Sequence, residues 1–234
     1  MEPKIIFEDE ELLVVDKPSG MIVYPDGRHD YPALSNWLER YKKTHWPDKE
    51  FYFVHRIDRE TSGILVIAKT PAAHEFLKEQ FQNREIKKTY RAFVYGTLKD
   101  DRGMIEKPIG SARGGLGPRS ATRPHGTMRE AQTLYRVLAR TLLDKKGGEA
   151  SYVEAFPKTG RTHQIRVHFS AIQHPIICDQ LYAPQRAPLL GFNRLALHAF
   201  SISFEHPNGK QMTFEAPLPQ DFIEAERQLA AKTA

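Results

Sequence analysis

One run of residues concentrates the groups able to do chemistry. It reads His55-Arg56-Ile57-Asp58-Arg59-Glu60-Thr61-Ser62-Gly63 and stops where an apolar stretch, Ile64 to Ala68, begins. Asp58 has a cation on each side in the sequence, Arg56 and Arg59, and two hydroxyls nearby, Thr61 and Ser62. Positive neighbours lower a carboxyl pKa. Asp58 is therefore expected to be ionised, the state a nucleophile or base requires. The plainer reading of the same charges is a polar loop closed by a structural ion pair. A second run, Thr159-Gly160-Arg161-Thr162-His163-Gln164-Ile165-Arg166-Val167-His168, supplies more polar groups. If it is helical, Thr162 and Arg166 share a face, and Arg166 is expected to reach Asp58 as a two-pronged partner. His163 and His168 are five apart, poor spacing for two ligands on one helical face, so no metal site is expected.

Elements must hold these runs in place. Ile5 to Phe7 and Leu12 to Val15 are apolar runs split by the acidic turn Glu8 to Glu11, which predicts a hairpin. Leu34, Trp37, Leu38 and Tyr41 recur with the helical period. Ile64 to Ala68 reads as a buried strand. Thr70 before Pro71 is a hydroxyl cap followed by proline at the first helical position. Ala73, Phe76, Leu77 and Phe81 form the expected inner face of that helix. Tyr90 to Tyr95 reads as a strand stopped by Gly96, with further strands at Gln132 to Leu138 and Ser151 to Phe156, and a turn at Lys145 to Gly148 between them. Residues 162 to 172 are expected to be helical. Leu195 to Phe204 and Gln211 to Phe214 flank Asn208-Gly209, a hairpin signal. Asp221 is the expected cap of a last helix through Ala230. Residues 110 to 127 mix glycines with Arg113, Arg119 and Arg123 and read as a mobile basic loop. The order is irregular rather than β-α alternating, which predicts an α+β fold with a mixed, largely antiparallel sheet and flanking helices and loops. The whole of 1–234 is expected to be one catalytic domain.

Bulk composition narrows the class. Lys and Arg number 34 against 29 Asp and Glu, a net charge of +5, which favours a polyanionic partner. With 40% hydrophobic and 27% charged residues the chain resembles a folded protein and not a disordered one. A single cysteine, Cys178, excludes an intrachain disulfide and a multi-cysteine zinc site. The start lacks a basic region followed by an apolar run, and no apolar stretch approaches the ~18 residues of a membrane span. The expectation is a cytoplasmic protein with no membrane association.

Four motifs in order make a specific resemblance. His55-Arg56-Ile57-Asp58 followed by Thr61-Ser62-Gly63 resembles the catalytic motif of RluA-type RNA pseudouridine synthases. Lys17-Pro18-Ser19-Gly20 resembles their N-terminal motif, Lys88-Thr89-Tyr90-Arg91-Ala92 their tyrosine strand, and Thr159 to His168 their arginine-bearing motif; Leu197-His198-Ala199 is similar to a later strand. The likeness runs from about residue 11 to 216. It implies the pseudouridine synthase fold and isomerisation of uridine in structured RNA, rRNA or tRNA, by a monomer without cofactor or metal. It implies Asp58 as the essential aspartate, Tyr90 as the tyrosine that stacks on the uracil, and Arg166 as the arginine that pairs with the aspartate. Arg56 corresponds to the arginine that fills the gap left by a flipped base, and Ile165 to an apolar contact with the ring. Arg161 and His55 are grouped with the substrate-binding residues, His55 fixing its loop through a backbone carbonyl and not acting in catalysis. The family often carries an S4 RNA-binding domain ahead of the catalytic one. Here the Lys17-Pro18 motif comes too early for it, so RNA affinity is expected from the catalytic domain itself.

Two rival readings stay open on the residues alone. One is a non-catalytic RNA-binding module on the same scaffold. The other is a carboxylate-based glycosidase, which usually needs two acids flanking one bond; Glu60 is the nearest second acid to Asp58.

Overall fold

The computed structural model describes residues 2–27, 29–111, 119–121, 125–142 and 148–230. In chain order the strands are β1 (Lys4–Glu8), β2 (Leu12–Lys17), β3 (Tyr52–Phe53), β4 (Ser62–Ala68), β5 (Lys87–Tyr95), β6 (Arg102–Glu106), β7 (Ile109–Ser111), β8 (Arg119–Ser120), β9 (His125–Arg129), β10 (Gln132–Leu142), β11 (Glu149–Pro157), β12 (Leu197–Glu205) and β13 (Gln211–Glu215). The helices are α1 (Leu34–His45), α2 (Pro71–Gln82), α3 (Gln164–Ala171) and α4 (Gln220–Ala230). This is the α+β architecture expected, and none of the described helices is long and apolar enough to cross a membrane. The chain forms two compact units, Met1–Lys88 with Ala199–Pro217, and Thr89–His198 with Leu218–Ala234.

The first unit is built on β1-β2-β4-β12, with β3 also on β4 and β13 on β12. The β1–β2 hairpin is antiparallel, and the Asp9 carboxylate closes its turn by accepting from the amides of Glu11 and Leu12. Every residue of β4 is buried, which explains its unbroken apolar run. Thr70 caps α2, its hydroxyl accepting from the Ala73 amide at 3.1 Å, a contact of ~1 kcal/mol. Ala73 and Leu77 are buried on α2 as expected, but Phe76 and Phe81 are only half-buried and Gln80 takes their place inside. Its amide is satisfied at both ends by the backbone of Glu205. The Asn208-Gly209 hairpin forms, though its loop spans His206 to Lys210.

A polar cluster ties α1 to the hairpin. Glu8 accepts from the Tyr41 hydroxyl at 2.6 Å, the Trp46 indole and the Lys69 ammonium. Lys69 is buried and lies 3.4 Å from the Trp46 ring centroid. Burial raises the Glu8 pKa, but the bonds from Tyr41, Lys69 and Trp46 together bring it below the ordinary value.

The second unit is built on β5-β11-β10-β6, all of the described pairings antiparallel. Arg91, Glu154 and Arg136 stand in register across β5, β11 and β10, and the buried Glu154 carboxylate pairs with both arginines. Gly96 ends β5 at a φ of +82°, a conformation glycine adopts without strain. Strands β8-β7-β9 form a separate small sheet within the segment expected to be a mobile loop. Residues 112–118 and 122–124 of that segment, and most of the expected turn at 145–148, lie outside the described residues. The last helix starts at Gln220, so Asp221 sits in its first turn instead of capping it, and Arg194 holds the Asp221 carboxylate with two nitrogens.

Gly63 opens β4 with φ at +113°, and a Cβ there would lie 2.2 Å from the Ala199 carbonyl oxygen of β12. Backbone strain and a clash with backbone add. Gly63→Ala is expected to lower stability by at least ~2 kcal/mol, read as a drop in the urea midpoint. An unchanged midpoint would refute the close approach.

Candidate active site

In the first unit the Asp58 loop is held by its backbone. Lys17 is fully buried, and its Nζ donates to the carbonyls of Met21 at 2.7 Å, Pro18 at 3.0 Å and Arg59 at 3.2 Å. The Ser19 hydroxyl donates to the Glu60 carbonyl at 2.6 Å, and the Gly20 amide to the Arg59 carbonyl at 2.8 Å. The Lys17-Pro18-Ser19-Gly20 motif is thus the clamp on residues 59 and 60. Within the loop the Thr61 amide donates to the Asp58 carbonyl, a turn that feeds directly into β4.

The side chains divide sharply. Asp58 is half-buried, Ile57 is buried beneath it in sequence, and Arg56 is exposed. Arg59 does not serve Asp58 as its position in sequence suggests. Its Nε and Nη2 both donate to Glu60 Oε1, and its guanidinium lies 4.1 Å from the Tyr31 ring centroid. That pairing also occupies Glu60, the second acid of the glycosidase reading. Among the described residues the buried Thr61 hydroxyl has no hydrogen-bond partner.

His55 anchors the loop, as expected of it, but through the opposite polarity. Its Nε2 accepts from the Val66 amide at 2.9 Å, so the backbone partner is a donor and not a carbonyl. The ring stacks on Phe81 with centroids 4.9 Å apart. Burial, and secondarily the Lys88 charge, push its pKa down to about 3, which keeps Nε2 an acceptor.

In the second unit, Tyr90 is half-buried on β5 opposite Ala155 of β11 and packs against the unit's apolar core. Helix α3 begins at Gln164, so Thr162 precedes it and the shared face with Arg166 does not exist. His163 takes the cap position in a left-handed conformation, φ 55°. Gln164 secures the entry: its Oε1 accepts from Thr159 and the Arg161 amide, while its Nε2 donates to Gln132 and Thr133. Ile165 is buried in the core, and Arg161 donates from Nε to the Glu130 carbonyl.

Arg166 is 4% exposed and has a partner that the sequence reading missed. Its Nε and Nη2 donate to Asp179, both at 2.8 Å. Asp179 Oδ1 also accepts from the amides of Leu181 and Tyr182. The Tyr182 ring centroid lies 5.3 Å from the guanidinium, and its hydroxyl bonds His163 Nδ1 and the Arg119 amide of β8. Asp179 lies thirteen residues from Arg166 in an irregular segment, where no periodicity flags it. His168 is likewise engaged on both nitrogens, by Thr133 and the Lys107 carbonyl.

A family model described as RNA pseudouridylate synthase matches residues 11–171, a stretch that holds Asp58, Tyr90 and Arg166. The chain belongs to this family. An uncharacterised RNA pseudouridine synthase of Bacillus subtilis (strain 168) is 38% identical over 232 residues, covering 96% of this chain and 72% of that protein. Ribosomal large subunit pseudouridine synthase D of Pseudomonas aeruginosa is 37% identical over 239 residues, covering 95% and 70%. Among solved structures, human RNA pseudouridylate synthase domain containing 4 matches with a TM-score of 0.77 at 26% identity, covering 97% of this chain and 92% of that one. Human domain containing 1 gives 0.76 at 27%, covering 93% and 84%. The chain is thus an isomerase that acts on RNA, and its fold is the pseudouridine synthase fold.

In this pseudouridine synthase His55 couples loop stability to pH. The folded ring resists protonation to about pH 3, while an unfolded histidine protonates near its ordinary value of 6.5. The unfolded chain therefore binds the extra proton below pH 6.5. The resulting stability is complete above 6.5 and declines as pH falls toward 3, by at most ~1.4 kcal/mol per pH unit. His55→Gln, which keeps an acceptor for Val66, is expected to flatten this slope relative to the parent. Urea unfolding at pH 4, 5, 6 and 7 measures it, and parallel curves for the two proteins would refute the assignment.

Proposed function

We propose that Asp58 is the catalytic carboxylate of this synthase and that its substrate is structured RNA, with large-subunit ribosomal RNA the first candidate. The observation that carries the reading is the loop itself: a half-buried carboxylate on a backbone clamped by Lys17 and Ser19, two residues from an exposed arginine. The relatives named for large-subunit ribosomal RNA support that substrate over tRNA.

The target atoms of a uridine are inaccessible in a stacked helix, so the nucleotide must be extruded. Arg56 fills the vacated space and contacts phosphate. Tyr90 offers a ring to the uracil face, and Ile165 an apolar edge. Asp58 either attacks C1′ or removes the C2′ proton; both routes need the ionised carboxylate. The N1–C1′ bond breaks, the retained base turns, and C5 bonds to C1′ as the carboxylate leaves C1′ on the first route or the proton returns to C2′ on the second. C5 then loses its proton and N1 gains one, so product and substrate are isomers. Arg166 takes the role of the arginine that acts with the catalytic carboxylate, its guanidinium oriented by the two bonds to Asp179. His55 and Arg161 act through the backbone that they hold. The 110–127 segment selects among RNAs. The whole chain works as one catalytic domain, a monomer in the cytoplasm, for which sedimentation and fractionation are direct checks.

Asp58→Asn is expected to lower pseudouridine formation by at least ~10³-fold with an unchanged circular dichroism spectrum. Ribosomal RNA and tRNA transcripts are incubated with each protein, and carbodiimide adducts are mapped by primer extension, because the isomerisation leaves mass unchanged. Full turnover by the variant would remove Asp58 from the mechanism. Modification of tRNA alone would move the substrate assignment.

A further inference from the structure

A concave surface lined by aromatic residues lies upstream of Asp58 in the chain. The first unit encloses a surface pocket of about 330 Å³ whose lining includes Tyr24, Ser35, Glu39, Tyr52, Phe53 and His74. That volume is at the small end of ligand sites. Its walls are aromatic. Tyr24 is 52% exposed, and Phe53 meets it edge-on with ring centroids 4.7 Å apart. Tyr52 stacks on His74 at 5.3 Å. An exposed tyrosine braced by a second ring offers a face to a flat ligand at little entropic cost.

The polar groups are few and specific. Among the described residues the Ser35 hydroxyl at the pocket wall has no hydrogen-bond partner, and an unsatisfied buried hydroxyl costs free energy. Glu39, one residue from the buried Leu38 on α1, is exposed and brings two acceptor oxygens to the rim. A carboxylate repels phosphate, so the occupant cannot be the RNA backbone. It accepts well from side-by-side N–H donors, and the Watson–Crick edge of guanine carries such a pair at N1 and N2.

The pocket is close to the Asp58 loop along the chain. Phe53 is five residues before Asp58, at most ~17 Å of extended chain. The Arg56 charge acts on the Tyr24 hydroxyl, opposing the burial that raises its pKa. A strand of RNA held at Arg56 and Asp58 therefore passes within reach of Tyr24.

We propose that this pocket binds a guanine near the target uridine, its face on Tyr24 and its N1–H and N2–H donating to Glu39. The proposal rests on RNA being the substrate, and it makes the enzyme a reader of local sequence as well as of shape.

Seven-nucleotide RNAs test it without turnover: all uridine, or uridine with one central guanosine or inosine, labelled at the 5′ end and titrated by fluorescence anisotropy with the full chain. The parent is expected to prefer the guanosine RNA by about tenfold. Inosine, which lacks the N2 amine, falls between. Glu39→Gln is expected to abolish the preference, and Tyr24→Ala to weaken binding of all three by about tenfold. With 6-thioguanosine at the centre, the photo-adduct is expected on Tyr24 or Phe53, a result that does not depend on any variant folding. Equal affinity for the three RNAs, or adducts only outside the pocket, overturns the proposal. So does a Tyr24→Ala variant that changes self-association but not RNA affinity, which would make the pocket a protein contact. Loss of the Asp58 mechanism would leave these binding results untouched, so the two readings fail separately.

Discussion

A lysine side chain taken wholly out of water ordinarily destabilises a fold. Lys17 is tolerated because three backbone carbonyls accept from its Nζ, and they join the turn after β2 to the segment that carries Asp58. Two lie in the turn that follows β2, and the third is at Arg59, next to Asp58. The register of β2 on β4 sets Lys17 opposite Gly63, so the donor and the end of the loop share one ladder position. Positioning through main chain rather than side chain has a chemical benefit. The carboxylate and the exposed Arg56 are placed without being the groups that do the placing. Preorganisation of this kind converts fold stability into catalytic orientation.

The second unit treats Arg166 differently, and the contrast is informative. Here the guanidinium itself is gripped, by a buried carboxylate that also accepts from backbone amides. A buried ion pair of this kind adds little net stability and is costly to break by removing one partner. Its effect is on geometry: the guanidinium plane is set by Asp179 and by the Tyr182 ring before any RNA arrives. Tyr182 also bonds the cap residue His163 and the amide of Arg119, so the small sheet β8-β7-β9 and the start of α3 meet at one hydroxyl.

The elements were legible in the sequence wherever backbone chemistry decides them. Thr70-Pro71 marked the start of α2 and Gly96 the end of β5, because a cap, a fixed φ and a positive φ each demand a particular residue type. The unbroken run of β4 was legible from burial on both faces. Side-chain pairings were not. Arg59 was read as a neighbour of Asp58 from adjacency, yet adjacent residues in a loop need not point the same way, and Glu60 took it. Asp179 could not be found, since its distance from Arg166 follows no period. His55 anchors its loop with donor and acceptor reversed, because the partner that the fold brings to Nε2 is an amide N–H, which no sequence spacing reveals. Thr162 was assigned to a helix that starts two residues later, where Gln164 satisfies the backbone and side-chain groups at its entry.

Charge and stacking divide the work of holding RNA. The surplus of five positive charges attracts any polyanion, and contacts of the Arg56 type weaken as salt screens them and counterions compete for phosphate. The proposed stacking on Tyr24 and donation to Glu39 involve no net neutralisation of phosphate, so their contribution is expected to survive at salt concentrations that erase nonspecific attraction. An acidic residue within a basic protein is thus no contradiction at an RNA surface. It rejects backbone and admits a base edge, which removes binding registers in which a phosphate would lie at Glu39. On the proposed reading, electrostatics brings the strand to the enzyme, the aromatic pocket sets which stretch of it stays, and the clamped loop presents Asp58 to the nucleotide that results.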